Sequence, residues 1–151
     1  MRPLVFALIL AAASPAVAQS PPASYAAPED VAAAIARAKA AKALEAEVIV
    51  ALAPYRIAAE YRAKPTPAAL HEKNNELINV LDGSATMIVG GKLKDEKRRD
   101  DGNLTGSGIE GGTSYALVKG SYIFVPAGEP HYISAIGKDG LVTTTIYIPK
   151  P

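Results

Sequence analysis

From Tyr55 onward the chain turns from an alanine-dominated run to strict alternation. Tyr55, Ile57, Ala59 and Tyr61 alternate with Arg56, Ala58, Glu60 and Arg62, the period-two signature of a half-buried strand. Short strand-like runs follow, each closed by turn residues. Residues 76–81 stop at Asp82-Gly83 and residues 84–89 at Gly90-Gly91, while 113–118 stop at Lys119-Gly120. Residues 122–125 stop at Pro126-Ala127-Gly128, and 131–136 run to Lys138-Asp139-Gly140 before a last strand over 141–148. Seven or eight short strands at regular spacing predict an all-β sandwich or small barrel.

Upstream the pattern is different. Pro28, Glu29 and Asp30 suit the positive start of a helix, and alanine interspersed with Arg37, Lys39 and Lys42 extends it over residues 29–45. Its apolar face (Val31, Ile35, Ala38) is thin, so the helix is marginal unless it packs on the domain or on a partner subunit. Residues 19–28 hold three prolines plus Ser and Ala and read as a linker. Before them, Arg2, the apolar run 4–13 and Ala16-Val17-Ala18 have the form of a cleavable export signal cut after Ala18. The expected organisation is therefore a signal at 1–18, a linker and Ala-rich helical segment at 19–53, and a barrel domain at 54–151. Export places the protein in the periplasm or outside the cell.

Charge and composition narrow the function. The 151 residues carry 16 basic and 15 acidic side chains; Arg2 is the one charge in the signal, so the rest balances at 15 against 15. That leaves no electrostatic footprint for nucleic acid or an anionic membrane. The absence of cysteine excludes a disulfide framework, a thiolate nucleophile and any cysteine-ligated metal. The densely charged stretch 92–101 nearly cancels internally and reads as a solvated loop, with the glycine-rich stretch 106–112 as a flexible connection.

Chemistry is concentrated around the two histidines. The first cluster reads His71-Glu72-Lys73-Asn74-Asn75-Glu76, then six residues to Gly83; the second reads Gly120, five residues, Pro126-Ala127-Gly128-Glu129-Pro130-His131. These clusters resemble the two short motifs of the cupin superfamily, small jelly-roll-like β-barrels. His71 falls on the second histidine of the first motif, Glu76 on its glutamate and Gly83 on its glycine. Gly120, Pro126, Gly128 and His131 match the second motif in register. Two positions depart: Ala69 stands where the family has the first histidine, and Ala135 where it has a terminal asparagine.

The resemblance implies a single-domain cupin β-barrel with an N-terminal Ala-rich helix, and one divalent metal ion (Fe, Mn, Ni or Zn) held by His71, Glu76 and His131. Two imidazoles and a carboxylate form a chemically complete set, with positions left open for water or substrate. Glu72, Asn74 and Glu129 are the candidates for a further oxygen, with their direction not set by the sequence. Strand alternation puts Glu76, Ile78 and Val80 on one face, and His131, Ile133 and Ala135 on another. An isolated carboxylate among apolar neighbours would be costly, which a metal or a histidinium offsets. Without metal, Glu76 and His131 make an ion pair or an acid–base couple.

The leading expectation is an exported metalloenzyme acting on a small oxygen-bearing molecule, with oxygenation, isomerisation and elimination all open. The alternative is a non-catalytic small-molecule binder with a degenerate metal site, which Ala69 favours; a structural dimerisation module is the third. Tyr115, Tyr122 and Tyr132 are candidate pocket or interface residues. A homodimer is expected, with residues 55–61 or the helix contributing, because an exposed edge strand needs cover.

Overall fold

A computed structural model describes residues 22–41, 44 and 46–151. The expected export signal and its cleavage point lie outside these residues. One helix and eleven strands follow one another: α1 (Pro28–Ala40), β1 (Ala46–Leu52), β2 (Tyr55–Arg62), β3 (Ala68–His71), β4 (Asn74–Val89), β5 (Lys92–Lys94), β6 (Lys97–Asp100), β7 (Asn103–Gly106), β8 (Gly108–Glu110), β9 (Thr113–Val118), β10 (Tyr122–Val125) and β11 (His131–Pro149). No helix among them is long and apolar enough to cross a membrane.

The frame is a long antiparallel ribbon of β4 and β11, in register from His131↔Val89 to Pro149↔Asn74. Each strand of the ribbon joins two runs that the sequence pattern separates at glycine turns. The ribbon is broken in register between Ile136 and Leu141, opposite Gly83. Its two halves carry different neighbours. The half with Leu141–Ile146 takes β2 and then β1 on one side and β10 on the other. The half with residues 131–136 takes β9 on one side, and β3, β7 and β6 on the other.

Two glycines make the break possible. Gly83 has φ +80°, and a Cβ there would fall on the carbonyl oxygen of Gly140, itself at φ +80°. Between the two halves lies a core of Ile78, Val80, Ala85, Met87, Leu117, Val125, Ile133 and Leu141. Ile78, Met87 and Leu141 are fully buried, and each contributes about 1.5–3 kcal/mol of apolar burial.

The N-terminal region differs from expectation in two ways. The helix stops at Ala40, not at residue 45, and Ala46–Leu52 is a strand. The β-branched run Val48-Ile49-Val50 pairs with β2, and tertiary pairing outweighs the alanine propensity that suggested a longer helix. Helix α1 then folds back on β1 and β2, burying Ala34 and Ala38 and tying Arg37 to Glu47 at 2.8 Å.

This arrangement corrects the reading of β2 as a half-buried edge strand. It lies between β1 and β11, so residues 55–61 offer no free edge for a partner. From Ile57 onward both of its faces are covered. Ala59 is buried on the side of α1, where Lys39 lies over the Tyr61 ring, while Arg56, Glu60 and Arg62 line an interior cavity.

The charged stretch 92–101 also differs: it forms β5 and β6 instead of a loop, and β8 occupies part of the glycine-rich stretch. Its charges nevertheless face solvent, since all four residues of β6 are exposed. As the last strand of the sheet, β6 carries Lys97, Arg98 and Arg99 along an edge, which disfavours pairing with another chain.

Candidate metal centre

His71 ends β3, Glu76 sits near the start of β4, and His131 opens β11. Strand pairing brings them together. Glu76 lies opposite Tyr147, and His131 lies opposite both Ala69 and Val89. The turn of the second motif docks on the first: the Gly128 N–H donates to the His71 carbonyl at 2.9 Å, and the Ala127 N–H to Asn75 Oδ1 at 3.0 Å. Two motifs far apart along the chain thus form one wall of the cavity.

His71, Glu76 and His131 each offer a ligand atom within 4.8 Å of the others. Nε2 of His131 is 2.9 Å from Glu76 Oε2, and Nε2 of His71 is 3.7 Å from the same oxygen. Glu76 is only 3% exposed, and its Oε2 has no well-directed hydrogen bond. The two imidazoles are 5.2 Å apart between ring centres.

The far sides of the rings decide which nitrogens are free. Asn103 Nδ2 donates to Asp100 Oδ1 at 2.6 Å, which turns Asn103 Oδ1 toward His71 Nδ1 at 2.5 Å. An amide oxygen only accepts, so Nδ1 of His71 carries a proton. Nδ1 of His131 faces the Glu129 carbonyl at 3.3 Å, so a proton on that nitrogen leaves its Nε2 free as well. In the neutral rings both Nε2 lone pairs then point at a buried carboxylate oxygen. Three electron-rich atoms facing one point call for a cation between them or a proton on a ring. The donor set therefore fits a divalent ion.

Without a metal, the site takes the other alternative, positive charge on the rings. Burial raises the Glu76 carboxyl, but contact with His131 and the charges of His131, His71 and Arg62 outweigh it and hold it below its usual value. Tyr147 and His71 pack in a T-shaped arrangement, 5.2 Å between ring centres, and the Arg56 guanidinium lies over the Tyr147 ring. Burial, followed by the charges of Glu76 and Glu60, pushes its phenol far up, so it stays protonated.

Of the three candidate extra oxygens, Asn74 lines the cavity. Glu72 is exposed and engaged by Arg98 through contacts of 2.9 and 3.0 Å, which lower its carboxyl. Glu129 contributes its backbone carbonyl, and its side chain is exposed. Among the tyrosines, Tyr115 and Tyr122 are exposed on another face, while the cavity tyrosine is Tyr147. Asn103 and the Glu60–Arg62 pair were not singled out from sequence. For Asn103 no local signal exists, because its role depends on β3–β7 pairing.

Alanine at position 103 is expected to weaken metal binding by about 10- to 100-fold while the fold stays intact, since the His71 ring loses the contact that orients it. Zinc titration followed by calorimetry measures this.

The cavity around these residues has a volume of about 560 Å³, with Ile78, Met87 and Ile133 on its apolar side. No protein-family model matches the chain, and no curated protein does. Solved structures do match. Hydroquinone 1,2-dioxygenase PnpCD, in complex with Cd2+ and 4-hydroxybenzonitrile, superposes with TM-score 0.58 at 19% identity, over 77% of this chain and 71% of that one. The Schizosaccharomyces pombe Cnp3 cupin domain gives 0.53 at 14% identity over 71% of this chain, which spans 61% of that one. A Rhizobium leguminosarum bv. viciae protein of unknown function gives 0.53 at 15% identity over 78% and 92%.

The fold is that of the cupins. In this cupin-like fold, His71, Glu76 and His131 lie close enough to hold a metal, and Ala69, which stands where the cupin motif has its first histidine, lines the cavity without a donor.

Proposed function

We propose that this chain is a small exported cupin that holds one divalent metal ion through His71, Glu76 and His131 and acts on a small oxygen-bearing molecule in the adjoining cavity. The observation that carries the reading is the convergence of two Nε2 atoms, each ring's Nδ1 facing an oxygen acceptor on its far side, on a buried carboxylate oxygen that has no well-directed hydrogen bond. Iron, manganese, nickel and zinc all accept two imidazoles and a carboxylate; when bound, such an ion supplies a Lewis acid with open positions for an oxygen of the small molecule.

The chain's own residues supply the rest. Asn103 and the Glu129 carbonyl orient the two rings, and Glu76 stays ionised between them. The protonated Tyr147 phenol is a hydrogen-bond donor in the cavity wall, and Ile78, Met87 and Ile133 limit water on the apolar side.

Ala69 favours a second reading, a non-catalytic binder that uses the same cavity. Its backbone lies directly opposite His131, so the missing ligand belongs to this very site. For the expected dimer, we place the contact at β1, the strand that ends the sheet, where Val48, Leu52 and the adjoining Tyr55 are exposed.

Element-resolved metal analysis of the exported chain, purified without a histidine tag, is expected to find about one divalent ion per chain. A well-folded protein that arrives empty and takes up none of the four metals overturns the proposal.

A further inference from the structure

The inward face of β2 carries charges that the metal centre does not use. Glu60 is 4% exposed, and its Oε2 lies 2.8 Å from Arg62 Nη2, off the direction of a good hydrogen bond. The Arg62 side chain is 11% exposed, and its other two nitrogens, Nε and Nη1, are buried without a hydrogen-bond partner among the described residues. A buried ion pair is a poor stabilising device, and unpartnered guanidinium donors make it worse. Both residues line the same cavity as His71, Glu76 and His131.

Nε and Nη1 are closed off even from water as the side chain lies here, so a ligand would meet them only as the guanidinium turns from Glu60, and the charges around the cavity indicate what that ligand would be. Arg62, Glu60 and Glu76 line it from inside and the exposed Arg56, Arg99 and Asp100 at its mouth, so among the described residues the lining is balanced. A divalent ion at the metal centre leaves two positive charges in excess, which selects an anionic ligand. Guanidinium donors match a carboxylate well, whereas a phosphate dianion would sit against the Glu60 carboxylate.

We propose that Arg62 anchors the carboxylate of a small organic acid in this cavity, with a further oxygen of that acid available to the metal centre. The proposal deepens the functional reading above and rests on its treatment of the cavity as a ligand site. Arg62 is a binding residue, and Glu60 tempers it by neutralising part of its charge.

The test uses the full mature chain, stripped with chelator or loaded with zinc, titrated calorimetrically with hydroxy acids from glycolate to mandelate, their neutral amides, and inorganic phosphate. Carboxylates are expected to bind both forms, more tightly with zinc, and at least tenfold more tightly than the amides or phosphate. Arg62→Lys, which keeps the charge but loses the planar fork, should lose about tenfold. Glu60→Gln should gain several-fold, a change that mere structural damage would not produce. Zinc content should be unchanged in both variants.

Amides or phosphate binding as well as carboxylates, variants that shift affinity in the same direction, or no carboxylate binding in either form would overturn the Arg62 assignment. Zinc uptake without carboxylate binding sinks this inference and leaves the metal reading standing. Carboxylate binding with the opposed variant effects but no metal uptake does the reverse.

Discussion

Alanine in place of His131 is expected to empty the metal centre, with metal per chain falling from about one to less than a tenth after dialysis. One of three protein ligands is lost, and no other histidine exists besides His71. The remaining nitrogen and carboxylate keep too little of the donor set to compete with water and buffer, so affinity should drop by at least about two orders of magnitude. Glu76→Gln should be as severe, because it removes the one negative charge of the set. The opposite change is informative as well. Ala69 lies opposite His131 and lines the cavity, so Ala69→His should slow metal loss to a chelator. Equal metal retention in wild type, His131→Ala and Glu76→Gln would show that any bound ion sits elsewhere.

Glu76 also has a pH signature in the chelator-stripped protein. Its folded-state carboxyl lies below its ordinary value, so the ionised group stabilises the fold at neutral pH. That contribution is present above the ordinary carboxylate range and disappears as pH falls through the lowered folded value. The stability gap between wild type and Glu76→Gln should therefore close on acidification, which chemical denaturation at a series of pH values measures. A gap that widens toward acid would mean that Glu76 is protonated in the native state.

The largest effect on stability is expected at Gly83. Alanine there needs a left-handed backbone and drives its Cβ into the Gly140 carbonyl, where β4 and β11 cross between the two halves of the ribbon. Steric conflict with backbone has no cheap relief, and the two terms together should cost about 2–5 kcal/mol, on the order of 10 °C in thermal midpoint. Gly128→Ala is the matched control. Gly128 also has positive φ (87°), but a Cβ there meets nothing within 4 Å, so only the backbone term applies, about 1 kcal/mol. If the two variants melt together, the crossing at Gly83 is not the constraint the geometry indicates.

These two glycines also show how far a motif can be read. Both belong to the patterns by which the chain resembles cupins, and both need positive φ. Gly83 must in addition leave room for a strand some fifty-seven positions further on in sequence (Gly140). Spacing shows that a glycine is required and stays silent about which of the two reasons applies.

The site divides in a similar way. His71, Glu76 and His131 were legible because rare side chains recur at fixed offsets from glycine and proline. Asn103 was not, because an asparagine in a short strand carries no signal until β7 pairs with β3 and sets its amide beside His71. Tyr147 was passed over within a Thr- and Ile-rich strand, and became a cavity residue through its register opposite Glu76.

Strand β2 is the sharpest case. Its alternation correctly implied a strand, but amphipathic alternation normally sends the apolar face inward. Here α1 covers that face, and the charged face turns into the cavity, which is why the Glu60–Arg62 pair escaped notice.

What the amino-acid order alone determined was local: the all-β pattern, the breaks at 90–91, 119–120 and 126–128, the lack of thiol chemistry and the three candidate ligands. Period-two hydrophobicity and glycine placement act within a few residues, and composition acts everywhere at once, so both survive without a fold. What the tertiary structure decided was which far-apart residues meet. It set the merging of strands into β4 and β11, the strand at Ala46–Leu52, the convergence of Nε2 atoms on Glu76 and the inward turn of Arg62. Those outcomes depend on pairing register and on which layer covers which face, quantities fixed by the packing of the whole chain and by no single segment of it.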